Sequence, residues 1–232
     1  MGAIHFSLNP ALAGFFKNHL NLDVFVETGT FQGDTAAAAA EIFGRVHTIE
    51  LSQELHAAAV RRFAGDDRVT TILSESPAAL ADLMGNAGDV PMFFWLDAHW
   101  CGAEGTAGMD AQTPLLDEIR ALGRLHEDSV VVIDDARLYL ATPPGPHRVS
   151  DWPDIDDLVR ELEAVRQGHR LMIFDDVIVF YPGRLRDKLA DFVRENAHDP
   201  LEMAHKARKL DRRNARRAKG IRGWFNRLRR RS

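Results

Sequence analysis

The sequence predicts an α/β fold in which helices cover both faces of a largely parallel sheet. Short apolar runs alternate with helix-forming segments along most of the chain. The run MFFWL at 92–96 is apolar at every position, as a central parallel strand buried on both faces must be. At 232 residues and 45% apolar, the chain supplies one sizeable core rather than two.

The first strand is expected over Val24 to Glu27, followed by the turn Thr28-Gly29-Thr30-Phe31-Gln32-Gly33 and a helix from Asp34 to Phe43. The consecutive alanines 36–40 favour that helix and let it lie close to a sheet. Arg45 to Glu50 reads as the second strand, Gln53 to Phe63 as a helix, and Val69 to Leu73 as the third strand. Pro77 suits the first turn of a short helix ending near Met84. The fourth strand is Met92 to Asp97; a glycine-containing segment, His99 to Asp110, then precedes a helix from about Pro114 to Leu125. Ser129 to Asp134 is the fifth strand. Arg137 to Pro153 holds enough prolines to be expected as a surface loop or lid. A helix over Asp154 to Gln167 leads into a hairpin, Arg170 to Phe174 and Val177 to Tyr181, turning at Asp175-Asp176. A helix from Arg184 to Glu195 opens a basic extension, so the chain divides into an N-terminal helical segment 1–21, a body 22–183 and an extension 184–232.

Composition narrows the function. The single cysteine, Cys101, excludes an intramolecular disulfide and a Cys-rich metal centre, and reads as a packing residue rather than a nucleophile. The start MGAIHFSLNP shows no signal-peptide pattern and the apolar runs are strand-sized, which points to a cytoplasmic setting. The net charge of −5 divides into +11 on residues 201–232 and −16 on the rest. An acidic body repels a polyanion, so nucleic acid is disfavoured as a partner. The extension reads as a solvated segment or as a peripheral contact for anionic surfaces such as a membrane, with Ile221, Trp224, Phe225 and Leu228 as a short apolar stripe.

Chemistry-bearing residues fall at the expected strand ends. Glycines in the turn after the first strand allow a sharp bend and close approach of a ligand, and the helix start supplies unpaired N–H donors. Its pattern, E-x-G-x-x-x-G, is not the dinucleotide fingerprint, and Glu27 suits an ammonium-bearing ligand better than a pyrophosphate. Glu50, closing the second strand, is placed to accept both ribose hydroxyls of a nucleoside. Ser74, Glu75 and Ser76 follow the third strand and read either as adenine contacts or as a helix cap at Ser76.

In these segments the sequence resembles class I S-adenosylmethionine-dependent methyltransferases. VFVETGTFQG resembles that family's first motif, HTIEL its acidic second-strand motif and ILSES its adenine-side segment, across residues 22–181. The resemblance implies a Rossmann-like seven-stranded sheet ordered 3-2-1-4-5-7-6 with strand seven antiparallel. It also implies S-adenosyl-L-methionine as cofactor, held by Glu27, Thr28, Gly29, Thr30, Phe31, Gly33, Glu50, Leu51, the Ser74 to Ser76 segment and Asp97.

FFWLDAHW places Asp97 and His99 at the end of the fourth strand, and VVVIDDARLY places Asp134 and Asp135 at the end of the fifth. Three converging carboxylates repel one another unless a cation compensates them, and Mg2+ is a sensible occupant for oxygen donors. The competing reading has one acid capping a loop and two facing solvent; Asp135 is the least secure member, because adjacent strand residues point opposite ways. A comparable metal site occurs in sugar O-methyltransferases of the macrolide and aminocoumarin type. By that resemblance His99 is a candidate general base and Asp97 its catalytic partner, while Trp100, Arg137 and Tyr139 are candidates for the acceptor wall. The expected activity is Mg2+-assisted O-methylation of a carbohydrate or glycosylated metabolite by a chain compatible with a homo-oligomer. A catechol-like acceptor and a noncatalytic nucleotide-binding scaffold are the alternatives.

Overall fold

The computed structural model describes residues 7–100 and 112–199, with 202, 203, 205, 206, 208 and 209. Cys101 and the stripe from Ile221 to Leu228 lie outside the described residues. The elements run α1 (Pro10–His19), β1 (Val24–Thr28), α2 (Asp34–Ala40), β2 (Arg45–Glu50), α3 (Gln53–Arg62), β3 (Val69–Leu73), α4 (Ser76–Ala87) and β4 (Met92–Leu96). They continue with α5 (Leu115–Ala121), β5 (Val130–Ile133), α6 (Arg137–Leu140), α7 (Ile155–Val165), β6 (His169–Phe174), β7 (Val177–Pro182) and α8 (Arg186–Asn196). The seven strands form one sheet in the order β3-β2-β1-β4-β5-β7-β6, as the resemblance implies. The pairs among β1 to β5 are parallel, and β7 runs antiparallel to both β5 and β6.

The unbroken apolar run in β4 has a direct explanation. Met92, Phe94 and Leu96 face a core layer that includes Leu80 of α4, Ile119 of α5 and Leu158 and Leu162 of α7. Phe93 and Trp95 face the opposite layer, with Phe16 of α1, Ala36 and Ala39 of α2 and Leu189 of α8. The small alanines bring α2 close to the sheet, and large rings fill the space beside it. Phe93 stacks on Phe25 at 5.6 Å and meets Phe43 at 5.5 Å and Phe16 at 6.1 Å.

Two expectations about connections resolve differently. The hairpin turn is as expected: Asp175 and Asp176 have φ of 46° and 66°, the paired left-handed conformation that matches strand twist in a two-residue loop. The segment 137–153, expected as a surface loop, instead begins with α6 and buries Leu138, Tyr139 and Trp152 in the core. Its prolines shorten regular structure without keeping the segment at the surface, because three large side chains anchor it. Leu189 of α8 is likewise buried, and the compact body runs to Val193, past residue 183. In the separate unit from Arg194 onward, Met203 donates to the Asp199 carbonyl at 3.0 Å and Lys206 pairs with Glu202. Among the described residues, no helix is long and apolar enough to cross a membrane.

Truncating Phe93 to alanine removes the ring that joins Phe16, Phe25 and Phe43. Phe93→Ala is expected to destabilise the fold by about 3–5 kcal/mol. Urea unfolding checks this, and a loss below ~1 kcal/mol would show that the layer closes over the cavity.

Candidate functional site

Parallel pairing in register brings the carboxyl ends of β1, β2, β4 and β5 to one edge. Thr28 lies opposite both Ile49 and Leu96, and Leu96 opposite Ile133. The residues that follow, Glu50, Asp97, Asp134 and Asp135, therefore gather around the end of β1.

Glu27 is fully buried on β1. Thr48 donates to its Oε1 at 2.6 Å, and the Thr30 hydroxyl lies 2.5 Å from Thr48, leaving Thr30 to donate onward to Thr48. Oε2 is buried without a partner among the described residues. Burial pushes the Glu27 carboxyl up to about 8; the Thr48 hydrogen bond opposes that rise, and the charges of Asp97 and Glu50 add to it.

The turn after β1 is tied down on both sides. Gly29 has φ of 84°, and a Cβ there would stand 2.5 Å from the Asp97 carbonyl oxygen. This glycine is thus required for close approach to the backbone after β4, a neighbour that its motif position does not reveal. Gly33, φ 83°, packs against the Phe63 ring. Phe31 takes φ of 47°, unusual for a side-chain-bearing residue, and its N–H is held by Glu50 Oε2 at 2.9 Å. Glu50 Oε1 accepts the Ser52 N–H at 2.8 Å, so one carboxylate joins the turns after β1 and β2. Each of these oxygens keeps a second lone pair for a ligand hydroxyl. Leu51 beside them is exposed.

On the β3 side, Ser74 donates to the Glu75 carbonyl at 3.1 Å, and Glu75 is exposed. Ser76 is not the helix cap: Glu75 holds that position without a side-chain cap bond, and Ser76 is the first residue of α4. Ser76 and Thr28 both hydrogen-bond Glu118 on α5, a buried acid that the motif reading missed. Burial raises Glu118 to about 7 against the pull of those two hydroxyls, and its Oε1 has no partner among the described residues. A signal was present in the sequence: Glu118 falls on the same helical stripe as Leu115, Ile119 and Leu122.

The acids after β4 and β5 form a chain of alternating charge. His99 places Nδ1 3.3 Å from Asp97 Oδ1 and Nε2 2.8 Å from Asp135 Oδ2. Arg137 Nη1 lies 2.6 Å from Asp135 Oδ1 and also pairs with Asp176 of the hairpin turn. Its backbone N–H donates to Asp176 Oδ1 at 2.9 Å. The alternation problem at Asp135 is solved by backbone geometry. Strand β5 stops at Ile133, and Asp135 takes φ of 57° with its N–H on Asp134 Oδ1 at 2.8 Å. Both acids are buried, yet they shift in opposite directions. Burial, reinforced by Asp97 and Asp135, raises Asp134 to about 8. For Asp135 burial also acts upward, but His99 and Arg137 together hold it down at about 2. Burial raises Asp97 as well, though 24% of its side chain reaches solvent. For His99, burial acts downward and is outweighed by the hydrogen bond to Asp135 and the charge of Asp97, leaving its pKa raised.

Aromatic rings pack beside this chain. Trp152 lies 5.6 Å from His99, 5.3 Å from Tyr139 and 5.0 Å from His147, and Trp100 meets His147 at 5.8 Å. Gln112 joins the segments: its Oε1 accepts from Trp152 Nε1 and the Arg148 N–H, while its carbonyl accepts the Trp100 N–H. Trp100, Arg137 and Tyr139 are thus gathered near His99, with Arg137 engaged by two carboxylates and Tyr139 buried. Trp152, His147 and Gln112 carried no motif that would have singled them out, and Asp176 was expected only as a turn residue.

No family model matches the chain, and no curated protein matches it in sequence. A provisionally named caffeoyl-CoA O-methyltransferase from Staphylococcus aureus superposes with a TM-score of 0.54 at 16% identity, covering 78% of this chain and 86% of that one. A provisionally named O-methyltransferase from Klebsiella pneumoniae gives 0.51 at 13% identity, over 75% and 79%. The chain has the Rossmann-like methyltransferase fold.

The residues present fit a methionine-derived cofactor at Glu27, where the orphaned Oε2 matches an ammonium donor. They do not fit Mg2+. Asp135, the acid between the other two, has both oxygens on cationic side chains, and among the described residues no three acid, histidine or cysteine side chains form a metal-holding group.

The raised pKa of Glu27 makes stability depend on pH. The folded value of about 8 lies above the ordinary 4.5, so its contribution is fully present below pH 4.5 and is lost as pH rises through 8. Glu27→Gln is expected to remove this loss and to be more stable than the wild type by roughly 5 kcal/mol at alkaline pH, with the gain vanishing in acid. Chemical denaturation of both proteins at acid and alkaline pH measures it; parallel pH dependences would disprove the assignment.

Proposed function

We propose that the protein is an S-adenosylmethionine-dependent O-methyltransferase acting on a hydroxyl of a carbohydrate or glycosylated metabolite. The observation that carries this reading is the seating of Asp97. Its backbone N–H bonds Thr28 Oγ1 at 3.2 Å at the end of β1, while its partly exposed carboxylate faces His99. A donor held at the turn after β1 and an acceptor held at Asp97 would thus meet at one sheet edge.

When bound, the cofactor supplies an electrophilic methyl group on a sulfonium. Glu27 Oε2 would receive its ammonium, and the spare lone pairs of Glu50 its ribose hydroxyls. Trp100, half-buried and set edge-on to His147, would offer an apolar face to a sugar ring. Asp97 would take the acceptor proton as the carbon–sulfur bond breaks and the carbon–oxygen bond forms. His99 suits a supporting role better than that of the base itself. Both its nitrogens face carboxylates and its side chain is only 4% exposed, so it would hold Asp97 in place while Asp135 fixes the ring. The metal plays no part in these steps.

Calorimetry should show saturable S-adenosylmethionine binding that weakens about 10- to 100-fold in Glu50→Ala, the loss of one charge-assisted contact of roughly 1.5–3 kcal/mol. An ammonium beside Glu27 favours its ionised form, so binding near neutral pH is expected to release a proton. The measured heat should then vary with the buffer's ionisation enthalpy in the wild type and not in Glu27→Gln. Preferential NAD binding without measurable S-adenosylmethionine affinity would reject the cofactor. Cofactor binding without S-adenosylhomocysteine formation across a panel of sugars and glycosides would reject the acceptor class.

A further inference from the structure

We infer that His99 and Arg137 take the electrostatic place of the divalent ion that the acidic strand ends invite, so that this edge is organised by the chain's own cations. Five side chains alternate in sign: Asp97, His99, Asp135, Arg137 and Asp176. Asp135, at the centre, gives one oxygen to the imidazole at 2.8 Å and the other to the guanidinium at 2.6 Å. Asp134 gives an oxygen to the Asp135 N–H at 2.8 Å, a bond that holds the left-handed residue in place. A hard divalent ion needs about six oxygen ligands at close range. Water can supply several of them, but an ion held by the three acids together would have to displace His99 or Arg137 from Asp135 or lie beside them. The side chains of His99 and Asp135 are 4% and 3% exposed, so water screens little of the repulsion between such neighbouring cations.

The arrangement also accounts for the reach of Arg137. Its backbone and guanidinium both bind Asp176, so the cation that compensates Asp135 also straps the end of β5 to the β6 to β7 turn. An ion could supply charge at Asp135 but no such covalent link to α6. Arg137 is therefore a positioning residue, and its exposed face does not make it a free anion receptor.

The test needs neither cofactor nor acceptor, so it stands or falls independently of the methyl-transfer reading. Mn2+ serves as the probe, read by electron paramagnetic resonance on the full chain, and the quantity measured is the difference between wild type and Asp134→Asn. No difference is expected up to millimolar Mn2+; a saturable site in the wild type that Asp134→Asn removes would overturn the inference. In Arg137→Ala and His99→Asn the buried carboxylates lose a counter-charge, and Mn2+ affinity is expected to rise about tenfold or more. Arg137→Lys keeps a cation and should exclude Mn2+ as the wild type does. If Arg137→Ala and His99→Asn both fold by circular dichroism and neither gains affinity, the inference fails. If they do not fold, the comparison of wild type with Asp134→Asn still decides it.

Discussion

Everything at the functional edge follows from the cost of burying carboxylates where parallel strands end together. The strand pairings bring Glu27, Glu50, Asp97, Asp134 and Asp135 to one side of the sheet, and all but Asp97 are nearly inaccessible to water. A buried unpaired charge costs far more than a fold of this size can spare. The chain answers in three ways. Glu27 and Asp134 are held toward their neutral forms, Glu50 is spread over two backbone N–H groups, and Asp97 and Asp135 are paired with cations.

The same solutions set the shape of the edge. Phe31 and Asp135, the two left-handed non-glycine residues beside β1 and β5, each have their N–H held by a strand-end carboxylate, Glu50 in one case and Asp134 in the other. Local strain at these turns is thus offset by a bond that also quiets a buried acid. Arg137 extends the pattern outward to Asp176, while Trp152 and Gln112 draw the segment after α6 back over the edge. The prolines of that segment suggested exposure; apolar burial of Leu138, Tyr139 and Trp152 outweighs them.

Much of the site was legible because acids at the ends of apolar runs are local features. Glu27, Glu50, Asp97, His99, Asp134 and Asp135 could each be placed from the strand that precedes it. What could not be read locally was which of them would meet. The metal triad rests on converging charge and on a family resemblance, and neither says whether the compensation comes from an ion or from His99 and Arg137. Glu118 was hidden for the opposite reason: an acid beside Asp117 on an amphipathic helix reads as solvated unless its apolar stripe is traced.

By itself, the sequence determined the strand and helix sequence, the buried centre at MFFWL and the acids at the strand ends, because periodicity and turn chemistry act over a few residues. The antiparallel seventh strand came by resemblance. The tertiary structure alone decided that Gly29 must clear the Asp97 carbonyl, that Glu27 keeps one orphaned oxygen, and that Asp135 is shared by His99 and Arg137. Those outcomes depend on distances between groups far apart in the chain. Desolvation and pairing are properties of the assembled edge and belong to no single segment.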